Sequence, residues 1–342
     1  MNMHIFQLAL FVWQQTRTRL DVLNRSDKFI VYLDSGTLYY LYLDYIGERQ
    51  YPVMKKLYAT LRDGYVNNWL AVPLSMDHLI PYISDNKIDK KFLEMMGTIG
   101  QVVYHQRFTI KTLQLIRIMN SYFDNPYSKP IWRDAFTSNP DEKYYPGFNK
   151  YTSLNVQHVQ TAVEREKKTS QIHEFIDSYR GGSALTDIAG THFGNLLTKI
   201  PDLITPYLPK VGDPDLHIRK FLEYEEIREI PEFHVLSNIL QALLDAYGLE
   251  EVESGQRDEV LLAAETIASY LPYCHFYVTM VDIAELMIMT GIHNPYNVRV
   301  YDHNESSLYQ LIKDITERNL ARQNYTENKK KQSQFRRGLT KQ

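Results

Sequence analysis

"HFYVTMVDIAELMIMTGIHNPYNVRVYDHNESSLYQLIKDITERNLA", residues 275–321, decides the fold class. HFYVT is a short aromatic and β-branched run, the composition of a strand. VDIAELMIMTG is apolar along its length and closes on a glycine, as a helix does. NVRVYD reads as a second strand and ESSLYQLIKDITERNLA as a second helix. Strand, helix, strand, helix is the pattern of a parallel sheet. A similar pattern stands near the other end of the chain. In DKFIVYLDSGTLYYLYLDYIG, residues 27–47, Phe29 to Leu33 form a buried-strand run, and Asp34 ends it ahead of a Leu/Tyr-rich helix. Residues 52–64 read as a helix ended near Gly64. WLAVPLSMDHLIPYI, residues 69–83, reads as a strand running into a helix start, with Ser75 as its N-cap.

Between these ends the pattern is helical. Residues 87–123 carry apolar positions at three-to-four spacing, residues 124–155 hold four prolines and read as a long loop, and helices are expected at 156–180, within 214–247 and at 256–270. The expected architecture is α/β: one parallel sheet flanked by helices, built from residues 27–105 and 255–320, with residues 106–254 as a large helical insertion. Residues 1–26, in which Ile5, Leu8, Phe11 and Val12 share a helix face, are expected as an N-terminal helix. Residues 321–342 are expected as a basic, disordered tail.

A chain of 342 residues can bury a core without staples. Its single cysteine, Cys274, allows no intrachain disulfide and no zinc-ligand spacing, which suits a reducing cytosol and predicts a cytoplasmic protein. The N-terminal segment lacks a basic region and a small-residue cleavage site, and no apolar run approaches a membrane span. The formal charge is −3, yet residues 323–342 alone hold six Lys/Arg against one Glu. That +5 end can neutralise phosphates, or it can be a solvated terminus. The 26 tyrosines suit half-buried faces and partner contacts.

In a parallel sheet, ligands bind beyond the carboxyl ends of the strands. The residues that reading places there are Asp34, Ser75 to His78, His275 to Thr279, and Asp302. Asp34 followed by Ser-Gly is the sharpest candidate, either a metal or phosphate contact or the N-cap of the next helix. Thr279 can cap a helix or hold a phosphate. Asp282 and Glu285 suit a helix surface, Asp302 a turn, His78 and Cys274 a structural role, and His105 with Arg107 a helix end or the same face. The chain has no phosphate loop of the GxxxxGK[ST] type and no GxSxG elbow.

IVYLDSGTLYYL, AVPLSMDHLIPYI and RDEVLLAAETIASYLPYCHFYVT, taken in that order, resemble bacterial members of the PIN-like nuclease superfamily. The resemblance touches residues 27–105 and 255–320. It implies a set of clustered carboxylates holding Mg²⁺ or Mn²⁺, which takes oxygen ligands and makes bound water a nucleophile. Carried over by position, Asp34 matches the early acid and Asp258 the acid on the helix before LPYC; these are the catalytic and metal-binding expectation, with Asp77 as a substitute ligand. Three acid positions are changed, to Pro81, His275 and Met280. Methionine cannot hold Mg²⁺, and histidine suits Mn²⁺ or Zn²⁺ better. Ser75, His78, His275 and Thr279 are the implied substrate contacts. Two functions follow from the resemblance. One is a PIN-like protein with an incomplete acid set, a non-catalytic or weakly active component that binds a protein partner or single-stranded nucleic acid, with no cofactor unless it is active. The other is a Mg- or Mn-dependent ribonuclease with a rearranged carboxylate site.

Overall fold

The structure is a computed structural model. It describes residues 28–100 apart from 76, 85 and 86, residues 231–247 and 258–339, and a few isolated positions between. The main sheet has four strands: β1 (Phe29–Leu33), β2 (Leu70–Ala71), β3 (Phe276–Val278) and β4 (Arg299–Tyr301), in the order β2-β1-β3-β4. All three pairings are parallel, with Phe29 opposite Leu70, Leu33 opposite Val278, and Val278 opposite Tyr301. Both ends of the chain therefore build one sheet, as the two sequence patterns predict.

Helices α1 (Ser35–Ile46) and α2 (Pro52–Val66) join β1 to β2, and α6 (Val281–Thr290) joins β3 to β4. These crossovers travel in opposite directions along the sheet. Right-handed connections then put their helices on opposite faces. The burial follows this rule. Val31, Leu33, Phe276 and Val278 share one core with Leu38 and Leu41 of α1, Leu57 and Leu61 of α2, Phe92 of α3 (Lys90–Ile99), and Leu311 and Ile315 of α7 (Glu305–Leu339). Tyr32 and Tyr277 alternate to the other face. There their rings stack at 4.5 Å, with the Tyr270 ring 5.7 Å from Tyr32. Tyr270 ends α5 (Asp258–Tyr270), which packs with α4 (Pro231–Tyr247) and, through it, meets α6. The tyrosine-rich composition is used here as a buried column, its rings supplying apolar area and offset stacking.

Local chemistry sets the element ends. Gly47 and Gly291 close α1 and α6 with φ of 78° and 67°, the left-handed conformation that costs glycine nothing. Asp89 caps α3 by accepting from the Lys91 and Phe92 backbone N–H groups, and its second oxygen accepts the Tyr42 hydroxyl at 2.6 Å.

Three expectations change. The helix expected over 87–123 ends at Ile99, where Gly100 turns extended; Val103–Tyr104 then pairs with Phe136–Thr137, inside the segment expected to be loop. A Cβ at Gly100 would lie 2.7 Å from the Val72 carbonyl oxygen, so backbone approach rather than periodicity decides that helix end. Within the segment expected as a tail, the described backbone is helical, α7 running unbroken to Leu339. It meets no proline, and its first glycine is Gly338, while Lys, Arg, Gln and Glu propagate a helix well. Finally, α4 lies within the expected insertion yet packs against α5 and α6, on the sheet's own helical layer. The rest of residues 106–254 and the expected helix at 1–26 lie outside the described residues. Among the described residues no helix is long and apolar enough to cross a membrane.

Candidate functional site

A sheet of order β2-β1-β3-β4 reverses its strand order between β1 and β3. The crevice beyond their carboxyl ends is the switch point where α/β sheets bind ligands. Asp34 stands there as the residue after β1, and its N–H donates to the Val278 carbonyl at 3.1 Å.

The Asp34 carboxylate is fully engaged. Oδ1 accepts the Thr37 backbone N–H at 2.8 Å and the Thr37 hydroxyl at 2.7 Å, which makes Asp34 the N-cap of α1. His303, two residues beyond β4, adds a forked hydrogen bond from Nε2, at 2.8 Å to Oδ1 and 3.0 Å to Oδ2. The pair is mostly shielded, with side-chain exposures of 18% for His303 and 16% for Asp34. Tyr40 of α1 closes it from the side, its ring edge-on to the imidazole at 6.4 Å. Gly36 seats it: a Cβ there would lie 2.8 Å from His303 Cε1. His303 is the residue that sequence reading missed. The strand-end rule that singles out Asp302 reaches it one position later.

A double-mutant cycle between Asp34→Ala and His303→Ala should give a coupling of about 1 kcal/mol, as partly shielded charged hydrogen bonds do. In a Gly36→Ala background the new methyl displaces the ring, and the coupling should fall to zero. Full coupling retained in that background would show that Gly36 does not seat the ring.

The other expected site residues scatter. His275 opens β3 rather than closing it. Its N–H donates to the Ile30 carbonyl at 2.9 Å and its Nδ1 accepts the Ile30 N–H at 3.0 Å. Four residues of strand separate it from Thr279, or roughly 13 Å, so it lies at the amino edge, away from Asp34. There it packs edge-on against Phe29, and burial followed by the nearby Arg318 charge lowers its pKa to about 4. A buried neutral ring that accepts a β1 backbone hydrogen bond is a sheet component, and this corrects its placement among substrate contacts.

Thr279 does lie beside Asp34 at the carboxyl edge, but it is 3% exposed and its N–H pairs with the Tyr301 carbonyl. Met280, not Thr279, holds the N-cap position of α6, without a side-chain cap. Asp282 and Glu285 are exposed on α6. Asp302 turns onto its own loop, where Oδ1 accepts the Asn304 N–H at 2.8 Å. His78 is buried, with Nδ1 accepting the Ser75 N–H at 3.2 Å and its ring 5.3 Å from Tyr32. Ser75 is buried as well, and its hydroxyl makes no hydrogen bond among the described residues, so it does not cap the 3₁₀ turn Asp77–Tyr82. Cys274 is a buried thiol that donates to the Leu271 carbonyl. Asp77 opens the 3₁₀ turn and Asp258 opens α5. The directions of those two carboxylates, and His105 and Arg107, lie outside the described residues.

Comparison with protein-family models, characterised proteins and solved structures found no match. The site is therefore judged on its own donors. Among the described residues no three His, Cys, Asp or Glu side chains gather in a way that could hold a metal. Around Asp34 the described set is one carboxylate, one imidazole and one hydroxyl. That set does not fit Mg²⁺, which wants several oxygen ligands. Oδ1 already has three donors, and a cation would have to displace them.

Proposed function

We propose that this chain is a PIN-like protein whose switch-point site binds without cutting, so that it serves as the binding component for a protein partner or single-stranded nucleic acid. The observation that carries this reading is the His303–Asp34 pair. The carboxylate that would anchor a catalytic cation instead receives an imidazole on both oxygens and a threonine on one. Met280, at a position where the resemblance calls for an acid, starts α6 beside it. In nucleases of this kind a divalent cation supplies the activated water and balances the phosphate charge. Here an imidazole N–H fills the place of that cation and holds the carboxylate as a helix cap.

The test is a titration of Mn²⁺ and Mg²⁺ into the protein and its Asp34→Ala variant, with single-stranded RNA cleavage followed in parallel. No binding heat at millimolar metal and no cleavage by either protein is expected. Metal-dependent cleavage that disappears in Asp34→Ala would replace this reading with the ribonuclease one, its site rearranged around Asp34 with Asp258 and Asp77.

A further inference from the structure

We infer that the part of α7 from Arg318 onward is an arm that grips single-stranded nucleic acid through one stripe of the helix; this deepens the binding role proposed above by naming its partner. The observation is the register of α7 (Glu305–Leu339). At about 100° per residue, Arg318, Arg322, Tyr325 and Lys329 fall within roughly 60° of one another. Followed back, the stripe contains Leu311 and borders Ile315, both fully buried against the sheet. The side that faces the core thus continues past the body, and there its residues change from aliphatic to basic and aromatic.

Arg318 marks the changeover. Its guanidinium still lies 4.8 Å from the Phe276 ring centroid and 5.9 Å from that of Phe29. Beyond it the stripe leaves the core: Arg322 is half-buried, Tyr325 is 68% exposed and Lys329 is exposed. Glu327 stands about opposite the stripe by the same register. Between Arg318 and Lys329 the three cations share one side and the one anion stands opposite, an arrangement that forgoes the i,i+4 pairs of opposite sign that stabilise an unpartnered helix.

Charge and shape choose the occupant. From Arg318 to Lys329 the stripe runs about 16 Å at 1.5 Å per residue. A stacked nucleic-acid strand carries a phosphate roughly every 3.4 Å and an extended one fewer, so that length spans up to about five charges. An exposed tyrosine between basic residues offers a ring for an unpaired base, which a duplex cannot present. The rest of the chain carries −8, because the total of −3 includes +5 from residues 323–342. A polyanion is therefore drawn to the arm and not to the body.

The experiment is fluorescence anisotropy on the full-length chain, in EDTA, with a labelled 20-nucleotide uridine strand. A duplex of the same length and polyglutamate serve as competitors, and salt is varied. Binding is expected to weaken with salt at a log–log slope of about −3, for four to five phosphates on a single strand. Arg322→Glu with Lys329→Glu should lower affinity at least tenfold and flatten the slope by more than one. Tyr325→Ala should lower affinity several-fold at every salt concentration without changing the slope. If the charge-reversed protein fails to fold, Arg322→Gln with Lys329→Gln gives the same reading at smaller amplitude. No binding, equal binding by the charge variants, or better competition by duplex or polyglutamate than by unlabelled strand would overturn the inference. Metal is absent throughout, so cleavage in the Asp34 experiment would overturn the non-catalytic reading and leave this one standing.

Discussion

Between pH 6.5 and pH 4 the fold should lose roughly 3 kcal/mol of stability through His275 alone. The ring enters the sheet neutral. Burial first, and the Arg318 charge second, hold its folded pKa near 4, against a usual value of 6.5. In that window the unfolded chain binds a proton that the folded chain refuses. Stability therefore rises with pH there, is complete above about 6.5, and stops falling once the folded ring titrates near 4. Protonation also turns Nδ1 from acceptor to donor, so the Ile30 N–H loses its partner inside the sheet. Urea midpoints at intervals across this range should show the loss as up to one proton bound on unfolding. His275→Asn presents an amide oxygen near the place of Nδ1 and has nothing to titrate. Its stability should be nearly flat between pH 6.5 and pH 5, before the carboxylates begin to contribute. A wild-type profile as flat as the variant's would mean that the ring is not buried as neutral imidazole.

Asp314→Ala should cost about 3 kcal/mol at neutral pH, as removing the acceptor from a mostly buried charge network does. Asp314 lies on α7 where it crosses β4 and is 6% exposed. One carboxylate oxygen accepts both the Tyr301 hydroxyl and Arg299 Nη1, the latter at 2.7 Å; the other accepts Gln310 Nε2 at 2.8 Å. Burial pushes the carboxyl up, yet these three donors outweigh it and hold the group below the usual carboxylate range. The loss will not be shared evenly. Arg299 is 51% exposed and can return to water, whereas the Tyr301 hydroxyl is left buried. A second variant separates the two. Asp314→Ala in a Tyr301→Phe background should cost less than half as much, because the stranded hydroxyl is gone. Equal costs in both backgrounds would assign the effect to Arg299. Guanidinium midpoints at fixed pH are sufficient to decide.

The sheet was readable because its strands are short apolar runs closed by residues with a reason to be there. Asp34 ends β1 and caps α1, and a run such as FIVYL followed by Asp-Ser-Gly carries both signals at once. β3 and β4 were readable in the same way, as was the glycine that ends α6. The extent of α7 is not legible for a local reason. A basic, polar run looks like a solvated terminus, yet nothing before Gly338 interrupts a helix already nucleated on the sheet.

The site was half readable. Asp34 could be chosen from one strand and the residue that follows it. His275 could not be placed, because a three-residue strand has two ends close together in sequence and only pairing with β1 tells which one faces the crevice. His303 was invisible for a different reason. It is 269 residues from its partner, and the contact exists because two parallel pairings bring β1, β3 and β4 side by side. Thr279 shows the complementary case, being at the right edge but turned out of reach by burial.

By itself, then, the sequence determined the strands of the sheet, their parallel sense and the one carboxylate that follows β1, because each is a local matter of periodicity, caps and turn residues. The tertiary structure alone decided what that carboxylate does. A hydrogen bond of 2.8 Å depends on the stacking of strands far apart in the chain, and no local rule specifies it.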